Sequence, residues 1–275
     1  MAEEITLGSL SSVGRVREGN EDAFGCFQPS DTRGLRVKGR LFVLADGMGG
    51  EAAGEVASQT AVEVTRNTYF TDPFRDPVRA LEKSLMLANE AIHRQASQNP
   101  ELKRMGTTCT ALVLRDQRAY VAHVGDSRAY LIRDGAIVRL TRDHSMAEKG
   151  RAFAHILTRA LGVEPAVEVD LLDAPLGLQA RDIFLLCSDG LWGQVEDQEL
   201  LAIAGAEPDP EDACRRLVNL ANQRGGPDNI TVVIVRVEDG GERTRLRRSL
   251  RWLMGRETDP RSGIAWVTRS LGDRG

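Results

Sequence analysis

Four aspartates lie beside apolar segments of this chain, and their side chains are the ones best suited to do chemistry. Asp46, Asp126 and Asp189 each follow an apolar run, and Asp228 comes just before one. Carboxylates held at the ends of several rigid strands can converge on one point. Because Mg²⁺ and Mn²⁺ prefer oxygen ligands such as carboxylates and backbone carbonyls, this arrangement favours a site for hard divalent cations.

Glycines directly follow two of these aspartates. In Asp46-Gly47-Met48-Gly49-Gly50 they allow the backbone to approach a ligand closely and leave carbonyl groups accessible. Asp189-Gly190 repeats the pattern, although a single Asp-Gly pair after a strand is also typical of an ordinary turn. Three carboxylates on three separate strands favour a metal instead. Two such cations about 3.5 to 4 Å apart would activate water and neutralise the oxygens of a phosphoryl group.

A charged segment near the N-terminus adds an arginine to this set. The run Arg17-Glu18-Gly19-Asn20-Glu21-Asp22 holds one cation and three carboxylates. The planar fork of an arginine pairs with two phosphate oxygens at once, so Arg17 is a candidate anion clamp. The alternative at this point is a solvated loop whose charges pair with one another.

Short apolar strands must position these side chains, and they dominate the pattern of the chain. The strands are predicted at residues 41–45, 109–114, 119–124, 127–133, 137–141, 183–187 and 230–237, and helices at about 54–66, 77–98 and 210–223. Residues 115–118 and the Asp134-Gly135 turn join neighbouring strands as hairpins. Helices segregated outside antiparallel sheets therefore predict an α+β fold.

Composition restricts the class of protein. The chain has 275 residues, of which 41% are hydrophobic and 28% charged, and it contains no apolar run of the roughly 18 residues that a membrane span needs. The N-terminus lacks the basic and then apolar pattern of a signal peptide, so we expect a cytoplasmic protein. Its four cysteines are scattered without metal-binding spacing, which argues against a zinc or redox site.

The charge is distributed unevenly between the body and the C-terminal tail. Residues 241–275 hold nine Arg and four acidic residues, a net charge of +5, so residues 1–240 carry −9 of the total of −4. We expect one domain over residues 1–240 and a basic tail over 241–275. An acidic body argues against a nucleic-acid partner. The stretch 243–254 has the pattern of an amphipathic helix, which would bind an anionic membrane or an acidic partner, or simply pack against the domain.

Six ordered motifs together resemble one known family, the metal-dependent Ser/Thr protein phosphatases of type 2C (PPM), and its bacterial branch in particular. The resemblance runs from about residue 6 to residue 237 and rests on Arg17-x-x-Asn20-Glu21-Asp22, Asp46-Gly47-Met48-Gly49-Gly50, Gly106-Thr107-Thr108, Gly125-Asp126-Ser127-Arg128, Ser188-Asp189-Gly190 and Gly226-Pro227-Asp228-Asn229. It implies a four-layer α-β-β-α sandwich with two central antiparallel sheets and metals in a cleft at one edge.

The resemblance also implies a role for each site residue. Asp46 would bridge two Mn²⁺ or Mg²⁺ ions, with the Gly47 carbonyl on the second. Asp189 and Asp228 would complete the first site. Glu21 would orient water at the second metal, and Arg17 would hold the substrate phosphate. Asp126, with Asp189, would bind a third and weaker metal.

The implied reaction is hydrolysis of phosphoserine and phosphothreonine in proteins by a metal-activated water, opposing Ser/Thr kinases in bacterial signalling. We expect a monomer whose partners are phosphorylated proteins and a Ser/Thr kinase. The alternative is a non-catalytic, phosphatase-like regulator that binds phosphoproteins or a kinase.

Two departures from the family pattern affect this interpretation. Met48 stands where animal relatives carry a histidine, so protonation of the leaving group falls to water. The flap between His144 and residue 157 is shorter than in relatives, which puts substrate preference and the third metal in doubt. His123 and His144 are interpreted as structural residues.

Overall fold

The computed structural model describes residues 4–73, 75–146 and 156–239, and the backbone alone of Glu51, Glu257–Asp259 and Ile264–Val267. The shortened flap is therefore described only at its two ends. The amphipathic helix expected at residues 243–254 lies outside the described residues.

Fourteen strands form in the described part of the chain, and all the strands predicted from the sequence are among them. Their bounds are β1 Ile5–Ser12, β2 Asp22–Pro29, β3 Arg40–Met48, β4 Gly106–Thr107, β5 Cys109–Arg115, β6 Arg118–Val124, β7 Arg128–Arg133, β8 Ala136–Arg139, β9 Asp170–Leu171, β10 Leu176–Gly177, β11 Ile183–Cys187, β12 Ile230–Val237, β13 Glu257–Asp259 and β14 Ile264–Val267.

Six helices form in the described residues, with a 3₁₀ turn at Pro100–Leu102. They are α1 Thr32–Lys38, α2 Glu51–Thr71, α3 Pro77–Gln98, α4 Asp189–Trp192, α5 Asp197–Ala206 and α6 Pro210–Gln223. Aspartate side chains cap the first turns of α1, α3 and α6 by accepting backbone N–H bonds. The predicted helices at 77–98 and 210–223 are confirmed, and α2 is longer at both ends than the predicted 54–66.

The strands pair antiparallel in two sheets. The first sheet has the order β1-β12-β11-β7-β8, and the second has the order β10-β6-β5-β3-β2-β14-β13, with β4 beside β3 and β9 beside β6. The C-terminal strand β14 pairs with β2, so Ile264 lies opposite Pro29 and Val267 opposite Cys26.

Alternation along the strands separates three layers of core. On β3, Leu41 and Val43 face α2 and α3, whereas Phe42 and Leu44 face the other sheet and pack with residues such as Leu186. The outer face of the first sheet packs on α5 and α6. Because each sheet is covered on both faces, the fold is the α-β-β-α sandwich of the predicted α+β class, which is confirmed.

The structure corrects the sequence prediction at several elements. Strands β1 and β2 were not predicted, because their apolar residues alternate with Ser, Gly and Asp and so resemble a loop. Helix α5 was also missed, although Glu196 and Glu199 form a capping box at its start. Strand β3 was predicted to end at residue 45, but it continues through Asp46 to Met48.

None of the helices in the described residues combines the length and the apolarity that a membrane crossing requires.

Gly54 of α2 lies close to the side chain of Glu21, so we expect that no larger residue fits at this position. A Cβ there would lie 1.8 Å from Oε2 of the buried Glu21, whereas a Cβ at Gly205 of α5 would meet no atom within 4 Å. Both Gly→Ala changes gain helix propensity of up to about 1 kcal/mol, but Gly54→Ala must also displace a carboxylate. Chemical denaturation should therefore show Gly54→Ala to be less stable than Gly205→Ala by about 1 to 3 kcal/mol. Equal stability of the two variants would contradict the tight contact.

Candidate metal-dependent active site

Asp46 is held by its backbone at the edge where the two sheets meet. Its N–H donates to Thr108 Oγ1 at 2.9 Å, and its carbonyl accepts bonds of 2.9 Å from both the Thr108 N–H and the Thr107 hydroxyl. Thr108 Oγ1 lies 2.7 Å from Ser127 Oγ, beside Asp126. The threonines of the Gly106-Thr107-Thr108 motif therefore position this aspartate.

Asp22 lies directly opposite Asp46 in the pairing of β2 with β3. The Ser188 hydroxyl donates to Asp22 Oδ2 at 2.8 Å, while Asp22 Oδ1 is buried without a hydrogen-bond partner. Asp22 was predicted to lie in a charged loop and was not selected as a site residue. It belongs to the motif that begins at Arg17, but only the strand register sets it across from Asp46.

Asp189 and Asp228 come from neighbouring strands of the other sheet. Asp189 is the first residue of α4 and lies two residues after the end of β11, and Asp228 lies two residues before β12. Next to it, Asn229 accepts the Glu21 N–H at 2.8 Å and donates to the carbonyls of Val13 and Gly19 at 3.0 and 2.9 Å. Asn229 thus fastens the β1–β2 loop, which carries Arg17, against Asp228.

Arg17 lies beside the carboxylates and pairs with one of them. Its guanidinium donates to Asp228 Oδ2 at 2.8 Å, and both side chains are partly exposed, at 49% and 34%. This hydrogen bond raises the pKa of Arg17, with smaller contributions from the charges of Asp228, Glu21 and Asp189. Arg17 is therefore paired outside its own loop, with a carboxylate that is a candidate metal ligand.

Glu21 and Gly47 meet where β3 leaves the sheet. Glu21 is buried, and its carbonyl accepts the Gly47 N–H at 3.2 Å. A Cβ on Gly47 would lie 2.2 Å from the Gly54 carbonyl, so only glycine fits between the two segments.

Asp126 is a buried residue between β6 and β7, and its carbonyl accepts a bond of 3.0 Å from the indole N–H of Trp192. Trp192 was not selected from the sequence. A tryptophan three residues after a candidate ligand is most often a core residue, so no sequence signal distinguished it.

The two central histidines are structural in their contacts, as expected. His123 Nε2 donates to the Gly125 carbonyl at 3.0 Å, and its Nδ1 accepts from Thr110 at 2.9 Å. Burial lowers the pKa of His123 to about 4, so this ring is neutral at physiological pH. His144 Nδ1 accepts the Gly125 N–H at 3.1 Å, and its Nε2 lies 2.9 Å from Asp170.

The carboxyl groups of the site share one electrostatic field. Burial raises the pKa of Asp22 and of Asp126 to about 7 and that of Asp189 to about 6, and the neighbouring carboxylates add to the shift. Burial likewise raises the pKa of Asp46 well above its usual value, with further increases from Asp22, Asp189, Asp126 and Asp228. The structure thus brings together all four aspartates named from the sequence.

This donor set fits a hard divalent cation. The clustered groups are all oxygen donors, one buried oxygen of Asp22 has no hydrogen-bond partner, and mutual repulsion of this kind is what a cation relieves. Within the described residues, no three His, Cys, Asp or Glu side chains already surround a common point. Asp228 lies instead against Arg17, so Arg17 and a cation would compete for the same carboxylate.

The raised pKa values predict how stability depends on pH after divalent cations are removed with a chelator. Buried Asp22 keeps its proton up to about pH 7 in the folded state, whereas an unfolded Asp ionises near pH 3.9. The stabilisation from the protonated form is therefore complete below about pH 4 and is lost as pH rises through 7. Asp22→Asn should raise the unfolding temperature above wild type by an amount that grows from pH 5 to about pH 8.

Asp31→Asn, at the exposed cap of α1, is the matched control and should show no such trend, since Asp and Asn cap helices equally well. A constant difference between Asp22→Asn and wild type across this range would contradict the ionisation of a buried carboxyl.

Comparison with known proteins identifies the family. A family model described as protein phosphatase 2C matches residues 7–150. The serine/threonine protein phosphatase PstP of Mycobacterium tuberculosis is 37% identical over 249 residues, which cover 86% of this chain and 45% of PstP. The serine/threonine phosphatase Stp of Listeria innocua is 36% identical over 239 residues, covering 81% of this chain and 92% of Stp.

A solved structure has the same fold. The catalytic domain of PstP in complex with two manganese ions superposes with a TM-score of 0.73 at 36% identity, covering 86% of this chain and 99% of that domain. This chain spans less than half of the length of PstP but nearly all of Stp. The matches confirm the resemblance seen in the six motifs: the chain belongs to the protein phosphatase 2C family.

Proposed function

We propose that this chain hydrolyses phosphoserine and phosphothreonine in proteins with the help of two Mn²⁺ or Mg²⁺ ions. The observation that carries the proposal is the convergence of Asp46 from one sheet with Asp189 and Asp228 from the other, beside the guanidinium of Arg17. Membership of the protein phosphatase 2C family and the manganese ions of the PstP structure support it.

Each residue has a role in this proposal. Asp46 would hold both cations, and the Gly47 carbonyl would bind the second. Asp189 and Asp228 would complete the first site, and Glu21 would orient water near the second. Asp126, with Asp189, would hold a third and weaker cation. When bound, the cations activate water and neutralise charge on the phosphoryl oxygens.

Arg17 is the residue that would receive the substrate phosphate. Its guanidinium is half exposed and already lies 2.8 Å from a carboxylate oxygen, which presents acceptor geometry similar to that of a phosphate oxygen. The loop that carries it is fastened by Asn229, so little ordering is needed on binding. Phosphoryl transfer depends mainly on such positioning and charge stabilisation.

The cysteines do not offer an alternative nucleophile. All four are buried, and burial raises the pKa of each thiol; that of Cys109 rises to about 12. A thiol must ionise to attack phosphorus, so these residues are unreactive at neutral pH. Direct attack by water is the route that the site supports.

The biological setting is part of the same proposal. The substrates would be phosphorylated proteins and a partner Ser/Thr kinase in the cytoplasm, with the chain acting as a monomer. The basic stretch 243–254 would contact an anionic membrane surface, since its five arginines attract such a surface by about 1 kcal/mol each when they lie near it.

Asp46→Asn tests the enzymatic proposal. With saturating Mn²⁺, hydrolysis of p-nitrophenyl phosphate and of a phosphothreonine peptide should fall by a factor on the order of 100 or more, since a group that holds both cations is lost. Asp31→Asn should keep wild-type rates. If the folded, Mn²⁺-supplied wild-type protein is no more active than Asp46→Asn, the chain is the non-catalytic regulator instead.

The tail proposal is tested in the full-length chain. Changing Arg247, Arg248 and Arg251 together to Gln should weaken sedimentation with phosphatidylserine vesicles on the order of 100-fold, from about 1 kcal/mol per arginine. Neutral phosphatidylcholine vesicles serve as the control. Unchanged binding to the anionic vesicles would remove the membrane contact from the proposal.

A further inference from the structure

The peptide groups on both sides of Asp126 are held by side chains from two other parts of the chain. The indole N–H of Trp192 donates to the Asp126 carbonyl at 3.0 Å. On the other side, Gly125 donates its N–H to His144 Nδ1 at 3.1 Å and accepts the His144 N–H at 2.7 Å. Asp126 is therefore fixed through its backbone, which limits where its carboxylate can lie.

Trp192 connects Asp126 to Asp189 by a short rigid path. Both Asp189 and Trp192 belong to α4, which is a single turn, and Asp189 is its first residue while Trp192 is its last. The Asp189 carbonyl also accepts the Gly193 N–H at 2.8 Å and closes that turn. One hydrogen bond from the indole thus ties the position of one aspartate to the helix that begins with the other.

The indole of Trp192 is held in position by Arg128. The Arg128 guanidinium carbon lies 3.6 Å from the centre of the Trp192 ring, in the stacked position that favours a cation–π contact. Arg128 is oriented by two bonds to Asp143, of 3.1 and 2.7 Å, and by one of 3.1 Å to the Tyr130 hydroxyl. The Tyr130 hydroxyl in turn donates to Asp197 at 3.0 Å.

These contacts of Trp192 matter because the carboxylates of Asp126 and Asp189 repel each other when both are ionised. Burial raises the pKa of Asp126, and the charge of Asp189 adds to that shift. Two ionised carboxylates left free would separate rather than stay close. A hydrogen bond to a backbone carbonyl resists that separation without adding charge to the site.

We propose that Trp192 is a positioning residue that holds Asp126 beside Asp189, and that Arg128 acts through Trp192. The inference rests on the proposed function, in which Asp126 and Asp189 together would hold the third and weakest cation. Trp192 acts through its hydrogen bond to the Asp126 carbonyl, which sets the spacing of two ligands.

Trp192→Phe tests the proposal, since phenylalanine keeps an aromatic ring for Arg128 but removes the N–H. Mn²⁺ binding is measured by isothermal titration and by the paramagnetic resonance of free Mn²⁺. The tighter binding steps should keep their affinity, while the weakest step should weaken at least about tenfold or disappear, a selective change that general loss of stability does not produce.

Asp31→Asn is the control, because Asp31 caps α1 and lies outside this network. It should bind Mn²⁺ like wild type. Equal affinities and stoichiometry in Trp192→Phe and wild type would overturn the proposal, and so would a wild-type protein that binds only two ions. No Mn²⁺ binding by the wild type would overturn the proposed function itself.

Arg128→Lys provides a second variant if Trp192→Phe does not fold. Lysine keeps the charge but loses the planar stack and the fork, so the weakest Mn²⁺ step should weaken by several-fold. Where both variants fold, the double variant should be no weaker than Trp192→Phe alone. Independent, multiplicative effects, or an unchanged weakest step in Arg128→Lys, would show that Arg128 does not act through Trp192.

Discussion

The packing of one sheet on the other is the constraint on which the rest of this structure depends. Phe42 and Leu44 of β3 are buried against residues such as Leu186 of β11, and apolar contact of this kind is the dominant stabilising contribution in a core. Asp46 follows β3's apolar run, and Asp189 follows β11. Because side chains alternate across a strand, the same packing that buries these apolar residues also determines how far apart the two carboxylates lie. The candidate active site is thus the polar edge of the interface between the sheets.

Holding several carboxylates together is unfavourable, and the surrounding polar groups are arranged to resist it. Thr107 and Thr108 fix the backbone of Asp46, Ser188 binds Asp22, and Asn229 fastens the loop of Arg17. These groups are neutral, so they position the carboxylates without cancelling their charge. Burial raises the pKa values of Asp22, Asp126 and Asp189, and the charges of neighbouring carboxylates add to the shift. A divalent cation would relieve the repulsion that the fold imposes, which supports the proposed metal site.

Residues 143–145, which follow β8, connect the flap to the edge of the sheet that carries the candidate metal site. Asp143 orients Arg128, and His144 holds Gly125, while Ser145 pairs with Leu157 across the base of the flap. The residues that begin the flap are therefore the same residues that hold the backbone beside Asp126. The shorter flap expected from the sequence would therefore affect a candidate ligand directly, because the stem of the flap supports the backbone beside Asp126.

The sequence by itself determined the strands with long apolar runs, the α+β class and the motifs that carry Asp46, Asp189 and Asp228. These features are local: apolar alternation, turn glycines and motif order are visible along the chain. Tertiary structure alone decided that Asp22 faces Asp46, that Asn229 fastens the loop of Arg17 and that Trp192 holds the Asp126 carbonyl. Strands β1 and β2 were missed because they acquire their burial from pairing with β12 and β3 rather than from their own hydrophobicity. Contacts between residues about 66 to 216 positions apart leave no periodic pattern in a sequence, because they depend on how two sheets are packed.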